Sequence, residues 1–130
     1  MRDIGDAKYI SFTTFKRDGT PKATPVWITG SDGSYLFYTG ADAWKTKRLR
    51  NDPRVEVQVC DMRGRVEPHA PVHRGTAEVL ADDGSIAEAK QAVADKYGWQ
   101  AALARLADGA RAKLGRGDDP VAIRIALDGN

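Results

Sequence analysis

Short runs of β-branched and aromatic residues, separated by turn signals, fill the first forty positions of the chain. Residues 9–15 contain no strong helix former, and residues 22–29 and 35–39 continue the pattern. Asp18-Gly19 and residues 31–34 separate these runs and are typical of tight turns. Because connections this short join antiparallel strands, the pattern predicts a meander of three strands.

Three further strands are predicted from apolar residues that alternate with polar ones. Val55, Val57 and Val59 alternate with polar neighbours and predict a strand with one buried face. Residues 72–80 and 121–127 predict the fifth and sixth strands.

Two segments favour helices. Residues 41–50 have helical composition, and that helix is expected to end before Pro53, because the residue preceding a proline avoids the α region. A capping-box spacing that begins at Ser85 predicts a helix over residues 86–97, ending near Gly98. A further helix is suggested by Trp99, Leu103 and Leu106.

Six strands and few helices in 130 residues predict one mainly β domain over residues 1–130. A small antiparallel barrel is the expected architecture, because closure removes exposed sheet edges. A barrel of this size encloses little space. A ligand is therefore expected on its outside, where two copies of the chain meet.

Charge and cysteine content exclude several classes of protein. The chain has 20 Lys and Arg against 18 Asp and Glu, a balance that argues against a nucleic-acid partner. Its one cysteine, Cys60, excludes an internal disulfide. It has no signal-peptide stretch and no run of about 18 apolar residues. We therefore expect a soluble, cytoplasmic protein with no membrane partner.

A cluster of basic residues follows the third predicted strand. Thr39 ends that strand, and a glycine turn and a helix start come next, where free N–H groups and lysines suit a phosphate. A solvated basic helix face is the competing interpretation. Trp44 occupies the position where a triphosphate-binding loop needs its second glycine, so that loop is excluded. The basic residues are Lys45, Lys47, Arg48, Arg50 and Arg54.

Pro25 lies inside the second predicted strand, where it cannot donate a ladder hydrogen bond. A planar heterocycle could lie against this strand and stack near Trp27, although the pattern alone favours a plain edge strand with a core tryptophan. His69 and His73 have no suitably spaced partners, so no metal site is predicted. No catalytic residue can be named either, so an enzyme of this sequence would need a bound cofactor.

Three stretches of the chain, in order, resemble the pyridoxamine 5′-phosphate oxidase-like split-barrel superfamily: KYISFTTFKRDGTPKATPVWI, LFYTGADAWKTKRLRNDPRVEVQVCD and RGTAEVL. Within it, the sequence is most similar to oxidoreductases that depend on the deazaflavin coenzyme F420. The resemblance covers residues 7–80 and 121–127. It implies a six-stranded antiparallel split β-barrel of the FMN-binding type and a homodimer with the cofactor between its subunits.

The resemblance also implies site residues and an activity. The activity is hydride transfer between reduced F420 and a small organic acceptor. An FMN-binding oxidoreductase and a non-catalytic F420 or FMN carrier or sensor are the alternatives. The residues expected to bind the cofactor are Thr24, Pro25, Val26 and Trp27 against its ring, Tyr38, Thr39 and Gly40 beside its side chain, and Lys45 and Lys47 at its phosphate.

Vitamin B6 oxidation is not expected from this sequence. The chain has Trp44-Lys45 where the true pyridoxamine phosphate oxidases carry a basic pair, and their C-terminal arginine motif is absent. The acceptor is therefore a small molecule of another kind.

Overall fold

The computed structural model describes residues 3–98 and 119–128, which form seven strands and two α-helices. A short 3₁₀ helix, Ile4–Asp6, precedes the first strand. The strands are β1 (Tyr9–Phe15), β2 (Pro21–Val26), β3 (Thr29–Ser31), β4 (Ser34–Gly40), β5 (Arg54–Cys60), β6 (His73–Leu80) and β7 (Pro120–Leu127). The helices are α1 (Trp44–Asn51) and α2 (Asp83–Tyr97).

All seven of these strands form one antiparallel sheet in the order β2-β1-β5-β6-β7-β4-β3. Its two edge strands, β2 and β3, are consecutive in the chain, and only Trp27 and Ile28 lie between them. That link can span about 11 Å, so the two edges of the sheet must approach each other. The sheet therefore curls into a half-barrel, which confirms the predicted mainly β, split-barrel class, with seven strands rather than six.

The predicted meander of the first three strands is wrong. The run over residues 22–29 is divided into β2, which pairs with β1, and β3, which pairs with β4. The division falls at Ile28, whose backbone N–H donates to the hydroxyl of Tyr97 at 2.9 Å instead of to a neighbouring strand. A side chain from a distant helix thus ends the ladder.

The core lies on the concave face of the sheet. Phe12 and Phe37 pack edge to face, with ring centres 5.2 Å apart. Burial of each such side chain contributes about 1.5–3 kcal/mol. The other largest fully buried apolar side chains are Ile10, Ile28, Val55, Val57, Val93, Ile123 and Ile125.

The end of α1 agrees with the sequence prediction, whereas the start of α2 differs from it. Helix α1 ends at Asn51, and Asp52 is extended before Pro53, as expected. Helix α2 begins at Asp83 rather than at residue 86, because the Asp82 carboxylate, not the Ser85 hydroxyl, caps it. Asp82 accepts a hydrogen bond from the Ser85 N–H at 2.8 Å, and this bond lowers the pKa of Asp82.

The end of α2 at Tyr97, with Gly98 at a φ of 58°, confirms the predicted stop. The helix suggested by Trp99, Leu103 and Leu106 lies outside the described residues. In the described ranges, neither helix has the length and apolar character needed to cross a membrane.

Candidate functional site

A cavity of about 270 Å³ opens where β2 ends and the chain crosses to β3. Five of its eight lining residues belong to the predicted site, so the fold brings together the two segments that the sequence singled out. Tyr9, Phe37 and Met62 complete the wall and were not predicted. The lining residues are Tyr9, Pro25, Val26, Trp27, Phe37, Tyr38, Thr39 and Met62.

Pro25 lies on the edge strand β2, where its missing N–H costs no ladder hydrogen bond. The register pairs Ile10 with Val26, so Tyr9 at the start of β1 lies beside the end of β2. This pairing explains how Tyr9 reaches the cavity. Alternation of hydrophobicity could not have revealed it, because register is set by partners that are distant in sequence.

Thr24 carries a buried polar atom that the protein leaves unsatisfied. Its Oγ1 is buried and has no hydrogen-bond partner among the described residues. Such a group costs about 1–3 kcal/mol. Thr24 does not line the cavity, but it shares one face of β2 with Val26, which does. A ligand against this strand could supply the missing hydrogen bond.

Trp27 forms a cavity wall with a fixed orientation. Its ring stacks on Tyr97 from α2, with centres 4.7 Å apart and planes inclined by 15°. Burial raises the pKa of Tyr97 to about 12, so its phenol is neutral at physiological pH. Trp27 therefore packs on a helix and also lines the cavity.

Hydrogen bonds from the start of α1 hold the end of β4, at Gly40. The Gly40 carbonyl accepts a bond from the Ala43 N–H at 3.2 Å and one from the Thr46 hydroxyl at 2.8 Å. Thr46 is fully buried, which anchors the first turn of the helix. Gly40 and Lys45 are not among the described lining residues; Gly40 directly follows Thr39, which lines the cavity, and Lys45 comes six positions after Thr39.

Lys45 is half-buried and has no ion pair or hydrogen bond within the described part of the chain. Burial lowers the pKa of its ammonium group, and the positive charge of Arg48 lowers it further. Arg48 is held in place because its Nε donates to the buried Thr14 hydroxyl at 2.6 Å. An unpaired, partly desolvated cation of this kind favours an anion.

Lys47 faces a different surface. Its Nζ lies 4.8 Å from the centre of the exposed Trp44 ring. Both residues line a second groove of about 410 Å³ on the outer side of α1, which we call the α1 groove. The predicted phosphate contacts Lys45 and Lys47 are therefore separated by the helix. The α1 groove is lined by Phe15, Lys16, Arg17, Trp44, Lys47, Arg48 and Asn51.

A family model described as pyridoxamine 5′-phosphate oxidase matches residues 2–125. The chain belongs to this family. Pyridoxamine 5′-phosphate oxidase-like proteins include oxidoreductases. No curated protein sequence matches the chain.

Three solved structures show which proteins have a similar fold. An F420 reductase matches with a TM-score of 0.64 at 18% identity, over 97% of this chain and 91% of its own. An FAD-binding protein from Mesorhizobium loti matches with a TM-score of 0.63 at 20% identity, over 97% and 83%. HutZ, the heme storage protein from Vibrio cholerae, matches with a TM-score of 0.68 at 13% identity, over 96% and 84%. At these identities the likeness establishes the fold alone.

The residues of this pyridoxamine 5′-phosphate oxidase-like chain suit a planar, anionic ligand. Aromatic side chains line the cavity, and a flat ring can stack on them. Among the described residues, neither the Thr24 hydroxyl on the adjacent strand nor the Lys45 ammonium group at the start of α1 has a hydrogen-bond partner. These two unsatisfied groups match a ring with polar edges and a phosphate.

Proposed function

We propose that the protein is an F420-dependent oxidoreductase that transfers a hydride between reduced F420 and a small organic acceptor. The observations that carry the proposal are an aromatic-walled cavity, a buried hydroxyl on the adjoining strand and a half-buried ammonium group on α1, the last two without a hydrogen-bond partner among the described residues. Bound F420 would supply the hydride chemistry. The similarity of the fold to an F420 reductase is in keeping with this choice, which rests on the sequence resemblance to F420-dependent oxidoreductases.

The chain's own residues would bind and orient the cofactor. The strand residues Thr24, Pro25, Val26 and Trp27 would lie against the ring, and Tyr38, Thr39 and Gly40 beside the side chain. Lys45 would hold the phosphate through a charge-assisted hydrogen bond. Lys47 would not bind the phosphate in the same way as Lys45, because it lines the α1 groove. The described lining residues include no carboxylate, histidine or lysine, and we assign them a positioning role.

A homodimer is part of the proposal. The cavity of about 270 Å³ is smaller than most cofactor sites, which occupy about 300–1,000 Å³. A second copy would enlarge and cover it. The connection between β5 and β6 exposes Met62, Val66 and Val72, which are 67%, 40% and 46% exposed. Met62 also lines the cavity, so this apolar surface adjoins the opening that the second copy would close.

FMN is the second candidate cofactor, and the FAD-binding structural neighbour supports it. FMN also combines a planar ring with a phosphate, so the same residues would bind it. A heme is a weaker candidate, because the described lining residues include no histidine or cysteine, which leaves Tyr9, Tyr38 and Met62 as the lining side chains that could ligate its iron.

Parallel titration with F420 and FMN, followed by fluorescence, tests the proposal directly. We expect saturable binding of F420 and oxidation of reduced F420 when quinone or enone acceptors are added. Preferential FMN binding would favour the flavoprotein alternative, and F420 binding without turnover would favour a carrier or sensor. Binding of neither cofactor would refute the assignment. A monomer in analytical ultracentrifugation would refute the shared site.

Replacing Thr24 with valine should change stability and affinity in opposite directions. Valine has the same shape but no hydroxyl, so the unsatisfied group disappears and the free protein should gain up to about 1 kcal/mol. F420 binding should weaken by about tenfold, because the ligand loses a hydrogen bond. Urea denaturation and fluorescence titration measure the two effects. Thr13→Val on β1 is the control. If Thr24→Val weakened F420 binding without stabilising the free protein, the role given to the Thr24 Oγ1 would be contradicted.

The lowered pKa of Lys45 predicts the pH dependence of binding. The ammonium group is charged below its pKa and neutral above it, so F420 affinity should fall as pH rises, beginning below the ordinary lysine value of 10.5. A phosphate remains ionised throughout this range. F420 titrations between pH 7 and pH 10 measure the predicted fall in affinity. In Lys45→Arg the decline should vanish, because guanidinium stays charged. A parallel decline in both proteins would exclude Lys45 as its source.

A further inference from the structure

Two adjacent residues at the end of α2 bind the link between β2 and β3. The Lys96 ammonium group donates to the carbonyl oxygens of Gly5, Ala7 and Ile28, each at 2.6 Å. The Tyr97 hydroxyl accepts from the Ile28 N–H at 2.9 Å. It donates to the Lys8 carbonyl at 2.7 Å, with the Ile28 carbonyl 3.0 Å away. Side chains of α2 therefore satisfy both backbone groups of Ile28, which pairs with no strand.

The three bonds of Lys96 use all the donors that an ammonium group has. Burial lowers the pKa of Lys96 and the Asp6 carboxylate opposes that shift, while the three carbonyl oxygens also stabilise the charged form. Lys96 has no donor left for a ligand anion. Its role is therefore to hold the N-terminal segment and the β2–β3 link to the end of α2, and it differs in this respect from Lys45, which has no hydrogen bond or ion pair among the described residues.

These contacts continue into the cavity wall. Trp27 directly precedes Ile28, and its ring stacks on the Tyr97 ring at 4.7 Å. Tyr97 thus holds the backbone of the link with its hydroxyl and the indole with its ring. Trp27 is also one of the residues that line the cavity. The position of this wall is consequently set by the end of α2 rather than by strand pairing.

We propose that Lys96 and Tyr97 are positioning residues that fix Trp27 as the wall against which the cofactor ring packs. This inference rests on the proposed function for the identity of the ligand. The positioning of Trp27 itself does not depend on it. A small rotation of the indole would change the width of the cavity, so affinity for a planar ring should depend on both residues.

The first experiment measures the position of Trp27 without any ligand. Trp44 and Trp99 are replaced by phenylalanine, so that fluorescence reports only Trp27. Lys96→Met and Tyr97→Phe are then introduced separately. We expect acrylamide quenching to rise by about twofold in each, because a released indole exposes the face that Tyr97 covers. Gln91→Met is the control, since Gln91 is exposed on α2 and bonds only to Asp95.

The second experiment titrates the same variants with F420 and FMN at a temperature where circular dichroism shows them folded. Lys96→Met and Tyr97→Phe should each weaken binding by about tenfold, the scale of a lost hydrogen bond to a charged or buried group. Lys96→Arg keeps the donors and should remain within about threefold of the parent protein. Should Lys96→Met fail to fold, Tyr97→Phe alone decides the question, because it retains the stacking ring.

Unchanged quenching in both variants would overturn the inference, and so would a rise in Gln91→Met of equal size. Raised quenching with unchanged affinity would also overturn it, because the position of Trp27 would then not matter to the ligand. If the parent protein bound neither F420 nor FMN, the proposed function would fail, and the role in cofactor binding would fail with it. The quenching result would still show whether Lys96 and Tyr97 hold Trp27.

Discussion

Replacing Lys45 with methionine should weaken F420 binding by about 10- to 150-fold. A hydrogen bond to a charged group contributes about 1.5–3 kcal/mol, and each 1.4 kcal/mol corresponds to a tenfold change in affinity. The loss of affinity in Lys45→Met should reach this range, because Lys45 is half-buried and no carboxylate in the described residues pairs with it. Methionine keeps the length of the side chain and removes the charge. Fluorescence titration at low ionic strength measures the loss.

Lys22→Met is the matched control, because it removes the same charge from an exposed position on β2. It should bind F420 within about twofold of the parent protein, since exposed charges are screened by solvent. An equal loss in both variants would indicate general electrostatic attraction rather than a phosphate site. Unchanged affinity in Lys45→Met would remove this residue from the site.

Much of the fold could be predicted because apolar alternation is a local signal. Val55 and Val57 in β5, and Ile123 and Ile125 in β7, are all buried, as the period of two requires. The order of the strands could not be predicted in the same way. Ile28 lies in a continuous β-forming run, and the run is broken by Tyr97, 69 residues further along the chain. No local pattern carries that information.

The candidate site also contains residues that the sequence predicted and residues that it missed. Pro25 and Trp27 could be found because a proline within a strand is unusual and needs an explanation. Lys45 could be found because basic residues cluster after a strand end. Tyr9 and Met62 were missed because they reach the cavity through strand pairing and through a connection, respectively. Their surrounding sequence contains no feature that separates them from other apolar residues.

The two aromatic rings at the centre of the core connect stability to the site. Phe12 is fully buried on the concave face, and its edge meets the ring of Phe37 at 5.2 Å between centres. Phe37 also lines the cavity. Any cavity left by truncating Phe12 would thus lie directly behind the wall of the proposed ligand site.

Phe12→Ala should therefore destabilise the protein by about 3–5 kcal/mol, the cost of removing a buried phenylalanine and leaving a void. Urea denaturation measures it as a lower midpoint with an unchanged slope. The protein concentration is held fixed, because the proposed dimer would also contribute to stability. Phe15→Ala on the same strand is the control. Phe15 is half-buried at the strand end, with the Arg54 guanidinium 5.0 Å from its ring centre, so its loss should cost less than half as much. Equal costs would mean that the Phe12–Phe37 pair is not the centre of the core.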